Sequence, residues 1–511
     1  MSYSPNLSSP FTGGMNKSKT TCSTSGMCSM CTRDCPGTCE IALSAVLGSQ
    51  TVYPITTGDN QIASEKIYPV DYSHFNINGR VFGARGIAED MEQAAVFNMD
   101  LSASYGTHNL IDMDLPLILP ALIKLNWKDY FAGAAMAGVS CVIGEHARNN
   151  DPEHVIKNGQ VVDFPFLASI RKSYEPYYRG KGQMILQCNP DDDLLGVPQI
   201  ALQKYGFDAI EIKFGQSAKG VQPVIKVKNI ETALKKKALG NLVHPDPEDP
   251  AVQKAYENGV CPNFYTYGRF PMWTEETISR HIELLRSMGA KNIYFKMAGY
   301  DPVDLERVLR MASANGVDMV TFDGAGGGSG YSPSKMMNEW SSPTVMLENQ
   351  VVGLAKKLQR ENLPLPAITI TGGFASEDQV FKALAFGDGL VKSVGLCRAS
   401  MAAAMTGESI GNEIKSGTIR PLFQKYGSTV EEIFGDLPDL CAIYGTEAHS
   451  YPTGAIGVFS YLRKIGFGIA HFAALNRKFN LSLLDRSDLI PLTSDAHNLL
   501  NGCFNLVSSC K

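Results

Sequence analysis

The stretch NIYFKMAGYDPVDLERVLRMASANGVDMVTFDGAGGGSG, residues 292–330, decides the fold. It opens on a short apolar run, Ile293–Met297, and passes through a helical pattern, DPVDLERVLRMASAN at 301–315. It then returns to a second apolar run, Met319–Phe322, which ends in a glycine-rich segment. Brief apolar runs of this kind suit strands buried on both faces. Two of them separated by about ten to fifteen helical residues predict parallel pairing beneath covering helices.

The same unit recurs on either side. Further candidate strands are Leu117–Ala121, Val142–Gly144, Met184–Gln187, Ala209–Phe214, Ile368–Thr371 and Leu390–Val394, and further helical patterns are EETISRHIELLRSM, VMLENQVVGLAKKLQR and SEDQVFKALAF. Eight strands closing on themselves predict an α/β fold of the (β/α)8, or TIM barrel, type. The repeating span exceeds the ~250 residues of a typical barrel, which leaves room for an insertion. HPDPEDPAVQKAYENGVCPNFYTYGRFPMW, 244–273, is the candidate. A doubly wound open sheet would need a glycine-rich dinucleotide turn after an early strand. The nearest match, GFGIAH at 466–471, sits inside a helical pattern and is rejected as a nicotinamide site. The organisation expected is a mobile leader with clustered cysteines over 1–50, an N-terminal cap over 51–110, the barrel over 111–405 and a helical C-terminal extension over 406–511. Within the cap, GIAEDMEQAAVFNMDL (86–101) reads as an amphipathic helix.

Composition narrows the class. Charged residues make up 19% of 511, below the usual ~25%, and the net charge is −5. No global basic field exists for nucleic acid or an anionic membrane surface. No uninterrupted apolar run of spanning length and no signal-peptide core are visible, so a cytoplasmic protein is expected.

In such a barrel the active site lies at the C-terminal ends of the strands, with phosphate commonly on the loops after the last two. The glycines collect there: DGAGGGSGYSP (323–333) after the sixth strand, TGGFAS (371–376) after the seventh and KSVGL (392–396) after the eighth. Glycine lets backbone N–H groups approach an anion, and a helix N-terminus adds a favourable dipole. Lys213, Lys219 and Lys296 lie on or just after strands. An unpaired buried ammonium is costly, so each needs a partner or a ligand.

At these residues the sequence resembles the FMN-binding barrel of glutamate synthase. GEHARN (144–149) is similar to the family's Gly-Glu-Gly-Gly turn, and MILQCN (184–189) to its third strand. AIEIKFGQSAKG (209–220) resembles its Ile-Lys-x-x-Gln-Gly-Ala-Lys-Pro block, DGAGGGSGYSP its glycine loop and ITITGG its phosphate turn. The resemblance implies FMN as cofactor, with Gln187 and Lys296 on the ring and Gly327, Gly328, Gly372, Gly373 and Gly395 near the ring or its phosphate. It places Gln216, Lys219, Lys235 and Thr274 on 2-oxoglutarate, and makes Glu145 and Lys219 catalytic. The activity implied is reductive amination of the keto acid with externally supplied ammonia. Electrons would come from ferredoxin or a reductase subunit, and any glutamine hydrolysis would fall to a separate glutaminase, because no glutaminase domain is recognisable. Other outcomes of the same chemistry are an enzyme for another amine or keto acid, such as methylamine giving N-methylglutamate, and a flavin-binding electron-transfer subunit without a substrate. The chain departs from the pattern at His146 and Ala147, at GVQP (220–223), and at Lys235, where lysine for arginine loses bidentate carboxylate recognition.

The family's cysteine triplet after the barrel is missing, but CSTSGMCSMCTRDCPGTC (22–39) packs five cysteines near the N-terminus. Cys28, Cys31, Cys35 and Cys39 have spacing that suits an iron–sulfur cluster, with Cys22 as the outsider. A zinc site is the competing assignment, and a tail without metal is the third.

Overall fold

The structure is a computed structural model. It describes Ala45 and residues 68–502, apart from 146, 216–223, 262, 271, 326, 328–339 and 446–450. Eight strands form its centre: β1 (Leu117–Leu122), β2 (Ser140–Ile143), β3 (Met184–Cys188), β4 (Ala209–Lys213), β5 (Asn292–Ala298), β6 (Met319–Asp323), β7 (Ala367–Thr371) and β8 (Val391–Gly395). All pair in parallel, and β8 meets β1 to close the barrel. Each lies within about two residues of its expected position. The helices that follow are α1 (Trp127–Met136), α2 (Phe166–Tyr174), α3 (Val197–Gln203), α4 (Glu275–Ser287), α5 (Pro302–Ala314), α6 (Thr344–Arg360), α7 (Glu377–Phe386) and α8 (Arg398–Ser416).

Period-two alternation divides each strand between two environments. On β5, Ile293, Phe295 and Met297 join the outer core under the helices, whereas Tyr294 joins the barrel interior with Ile118, Val142, Ile185, Ala209 and Met319. The hairpin Ala103–Tyr105/Ile111–Met113 plugs the N-terminal end of the barrel, burying Tyr105 and Met113 in that interior cluster. Polar groups at this end find partners: Tyr294 donates to Gln183 at 2.5 Å, and Gln183 donates to Asp208 and Asn292 at 3.1 Å. This packing seals the barrel at its N-terminal end.

The insertion after β4 is larger than the Pro-rich run suggests. It forms an antiparallel sheet, Val224–Val227/Phe264–Tyr267/Leu242–His244, with helices Ile230–Ala238 and Pro250–Glu257. The boundary expected at 405 falls inside α8, which continues to Ser416. Beyond it the chain is mainly helical, as expected, and its long helix α9 (Thr453–Leu475) lies against α1 and α8. Glycine allows this approach, since a Cβ on Gly407 would stand 2.4 Å from the Thr453 carbonyl oxygen. Part of the glycine excess therefore serves helix packing. GFGIAH lies within α9, in agreement with its rejection as a nucleotide turn.

The run 86–101 is not the helix its periodicity predicts. Arg85 bridges to Lys478 and Asp100 to Asn480. Its ends are thus tied to positions two residues apart, a reach of ~7 Å, whereas a helix over this run would separate them by ~22 Å. Only Val96–Asn98 takes a short 3-10 turn, and Met91 and Phe97 stand exposed. The terminal regions form one layer, with Phe75–Ile77 pairing antiparallel to Leu489–Pro491.

Candidate functional site

The inward alternation that fills the lower barrel with apolar side chains changes character toward the mouth. Gln187 on β3, Glu211 and Lys213 on β4, Lys296 on β5 and Asp323 on β6 are all buried, together with Glu145 just after β2. Glu211 stands beside Gln187 in the β3–β4 register, and Lys213 beside Lys296 in the β4–β5 register. Five ionisable groups in a barrel interior are expensive unless they neutralise one another.

They do so in two groups. Lys213 Nζ donates to Glu145 Oε1 at 2.9 Å, and Lys296 Nζ lies 3.4 Å from Asp323 Oδ2. Glu211 accepts a hydrogen bond from Gln187 Nε2. Burial raises the Glu211 pKa, although Lys296 and Gln187 oppose it. Burial also works against the Lys296 ammonium, but Asp323 and Glu211 outweigh it, and its pKa ends above the ordinary lysine value. Lys213 goes the other way: burial lowers its pKa, and Glu145 restores only part of the loss. The mouth thus holds one firmly charged lysine and one whose proton is easier to remove, the latter bonded to a carboxylate.

The neighbouring strand ends are suited to an anion. Gly372 has φ +126° and Gly373 φ +92°, in the region that favours glycine. No described group accepts from the amides of Gly373 and Phe374. The N-terminus of the 19-residue α8 has no side-chain cap, and Arg398 opens its first turn. Unengaged amides after β7 and an uncapped helix after β8 are the donors that a phosphate requires. The glycines have packing roles as well. A Cβ on Gly395 would lie 2.7 Å from Pro120 Cγ, and one on Gly327 would lie 2.0 Å from Asp323 Oδ1.

The structure therefore brings Glu145, Gln187, Lys296, Gly327, Gly372, Gly373 and Gly395 to one end of the barrel. Lys235 is exposed on the insertion helix Ile230–Ala238. Thr274 is the exposed N-cap of α4, and its hydroxyl accepts from the Thr277 amide at 3.1 Å. Neither belongs to the buried cluster. Gln216, Lys219, Gly328 and the cysteines Cys28, Cys31, Cys35 and Cys39 lie outside the described residues. Among the described residues no set of three His, Cys, Asp or Glu side chains is placed to hold a metal, and no helix is long and apolar enough to cross a membrane.

Glu211, Asp323 and Arg148 are members of the mouth that motif reading passed over. Glu211 was accessible to it, because a residue two before Lys213 in a strand shares its face.

Fold and site together define a closed parallel (β/α)8 barrel with a charged mouth. Residues 269–406 match the family model described as the conserved region in glutamate synthase, so the resemblance read from the sequence holds across the second half of the barrel. None of the curated proteins matches the chain. Similar solved structures include a flavocytochrome b2 variant with sulfite bound, at TM-score 0.45 and 13% identity over 86% of this chain and 80% of that one. The recombinant flavin-binding domain of baker's yeast flavocytochrome b2 has TM-score 0.44 and 13% identity over 83% and 78%. A mandelate oxidase variant with a monooxide FMN adduct has TM-score 0.42 and 11% identity over 82% and 88%.

Proposed function

We propose that this chain is an FMN-dependent oxidoreductase of the glutamate synthase type that reductively aminates 2-oxoglutarate with free ammonia. The observation that carries this is the buried Lys296, held charged between Asp323 and Glu211 at the barrel mouth, inside the span that matches the family model. FMN fits the residues present: the amides of Gly373 and Phe374 and the start of α8 suit its phosphate, and Lys296 and Gln187 suit the polar edge of its ring. When bound, the flavin supplies the hydride that reduces the substrate carbon.

The chain's own residues manage position and protons. Glu145 takes the proton that ammonia loses as its nitrogen bonds the keto carbon. Glu145 passes that proton on to the keto oxygen, and Lys213, whose proton is the easier to remove, delivers the second, so that the oxygen departs as water. Lys296 keeps a positive charge at the ring edge throughout. Electrons return through ferredoxin or a reductase subunit, with the cysteines at 28, 31, 35 and 39 as the entry point if they hold iron and sulfur. Iron and zinc analysis of anaerobically purified protein separates that assignment from a zinc site. The test of the reaction is reoxidation of the reduced, FMN-loaded chain: 2-oxoglutarate with ammonium should restore the oxidised flavin spectrum and release glutamate, whereas neither should do so alone.

A further inference from the structure

The run 86–101, amphipathic by its periodicity, is apolar on both sides of the path it takes instead of a helix. Ile87, Ala94 and Val96 turn inward and pack on the core. Met91 and Phe97 turn outward, 94% and 87% exposed, and Phe82 just ahead of the run is 90% exposed. A surface segment ordinarily gives one side to the core and a polar side to water. Apolar side chains on both sides suit a layer that lies between two bodies.

These side chains share a surface with α9. The Arg80 amide donates to the Leu475 carbonyl at 3.1 Å, which brings Phe82 to the C-terminal end of that helix. The 3-10 turn Val96–Asn98 lies against α9, and Asn98 Nδ2 donates to the Gln93 carbonyl at 2.8 Å, which holds the turn bearing Met91 beside it. On α9 itself Phe467 and Leu475, at i and i+8, add one exposed stripe. At about 200 Å² for a large side chain, the five expose on the order of 700 Å². That exceeds the ~300–600 Å² of the largest patch on a typical monomer. It approaches the ~800 Å² that each partner buries in an interface of standard size.

The charges beside the patch identify its occupant. Asp90 and Glu92 flank Met91, both exposed. At the other end the Arg85 amide donates to the Arg477 carbonyl at 2.9 Å, so two guanidinium groups belong to the corner beside Leu475. None of these four side chains forms an ion pair among the described residues. The acids disfavour a nucleic acid or an anionic membrane as the occupant. Unpaired charges of opposite sign at the two ends of an apolar patch are complementary to the same patch turned about a two-fold axis. We infer that this face joins two copies of the chain in an isologous dimer. Phe82, Met91, Phe97 and Leu475 form its apolar centre, and Asp90 and Glu92 of each copy meet Arg85 and Arg477 of the other. The dimer is independent of the reaction proposed above.

Sedimentation velocity on the full-length chain over a series of micromolar concentrations tests this. The wild type should sediment as a dimer. Met91→Glu and Phe97→Glu should each weaken the dimer about 100-fold and leave the circular dichroism spectrum unchanged, because neither side chain packs on its own core. Asp90→Lys with Glu92→Lys, and separately Arg85→Glu with Arg477→Glu, should each give a monomer, since like charges then face each other twice. Mixed in equal amounts, these two double variants should form a heterodimer, because reversed charges meet reversed ones and native charges meet native ones. If Arg477→Glu does not fold, Arg85→Glu mixed with Glu92→Lys makes the same comparison. A wild type that stays monomeric, whether its leader or a different protein covers the patch, overturns the proposal. So does a dimer that Met91→Glu and Phe97→Glu leave intact, or a mixture of the charge-reversed variants that stays monomeric.

Discussion

Lys296 and Asp323 face each other across β5 and β6 at 3.4 Å, each side chain no more than 7% exposed. A buried pair of this kind is weak evidence for added stability, but removing one partner is severe, because the other is left as an uncompensated charge. Lys296→Met strands Asp323 and Glu211 together, and should cost about 3–5 kcal/mol in denaturant unfolding. It should also weaken FMN retention. Asp323→Asn removes the countercharge and strengthens the positive field at the ring edge. Spectroelectrochemical titration should show a higher flavin reduction potential in Asp323→Asn and a lower one in Lys296→Met. Equal potentials in both variants would remove Lys296 from the flavin.

A pH dependence follows from a carboxylate far from the mouth. Glu348 on α6 is fully buried, and Tyr72 Oη donates to its Oε2 at 2.6 Å. Burial raises its pKa to about 8, against opposing contributions from Tyr72 and Arg486. A raised folded-state pKa means that the unfolded chain loses the proton first. Stability from this group is therefore complete below the ordinary carboxylate value of 4.5 and is lost as pH rises toward about 8. Glu348→Gln lacks this slope. The melting temperature of wild type minus variant should fall between pH 5 and pH 8 and then level off.

The strand ends test how far glycine is required. Gly395→Ala would put a Cβ 2.7 Å from Pro120 Cγ and 2.8 Å from Thr371 Cβ. Overpacking of this kind should cost about 1–3 kcal/mol and shift β8 against β1. FMN affinity, measured by fluorescence quenching, should fall with it.

Thr274 separates capping from substrate contact. Thr274→Ala should lower stability by about 1 kcal/mol, the usual value of an N-cap. Calorimetry should find 2-oxoglutarate affinity unchanged, because the hydroxyl is exposed and engaged with Thr277. A large loss of affinity would place Thr274 in the substrate site.

The barrel was legible because its strands are apolar on both faces and its helices are periodic, so Ile293–Met297 and Met319–Phe322 declared themselves without tertiary information. Lys296 was legible for the same reason, being a charge where only apolar residues were expected. The helix expected over 86–101 failed because its periodicity is local, whereas the bridges from Arg85 and Asp100 to Lys478 and Asn480 are separated from it by nearly the whole chain. Asp323 reads from the sequence only as the first residue of a glycine loop. Its pairing with Lys296 depends on the β5–β6 register, which motif spacing does not encode. Arg148 lies just past the motif-like turn in GEHARN, and its burial beside Asp192 becomes visible only in three dimensions.

The central claim is reduction of a substrate carbon at the mouth occupied by Glu145, Lys213 and Lys296. Its most direct test is anaerobic stopped-flow mixing of the reduced, FMN-loaded chain with 2-oxoglutarate and ammonium. The account predicts return of the oxidised flavin spectrum with one glutamate formed per flavin, and no return when either reactant is omitted. A reduced flavin that stays reduced with every combination of 2-oxo acid and amine would contradict it.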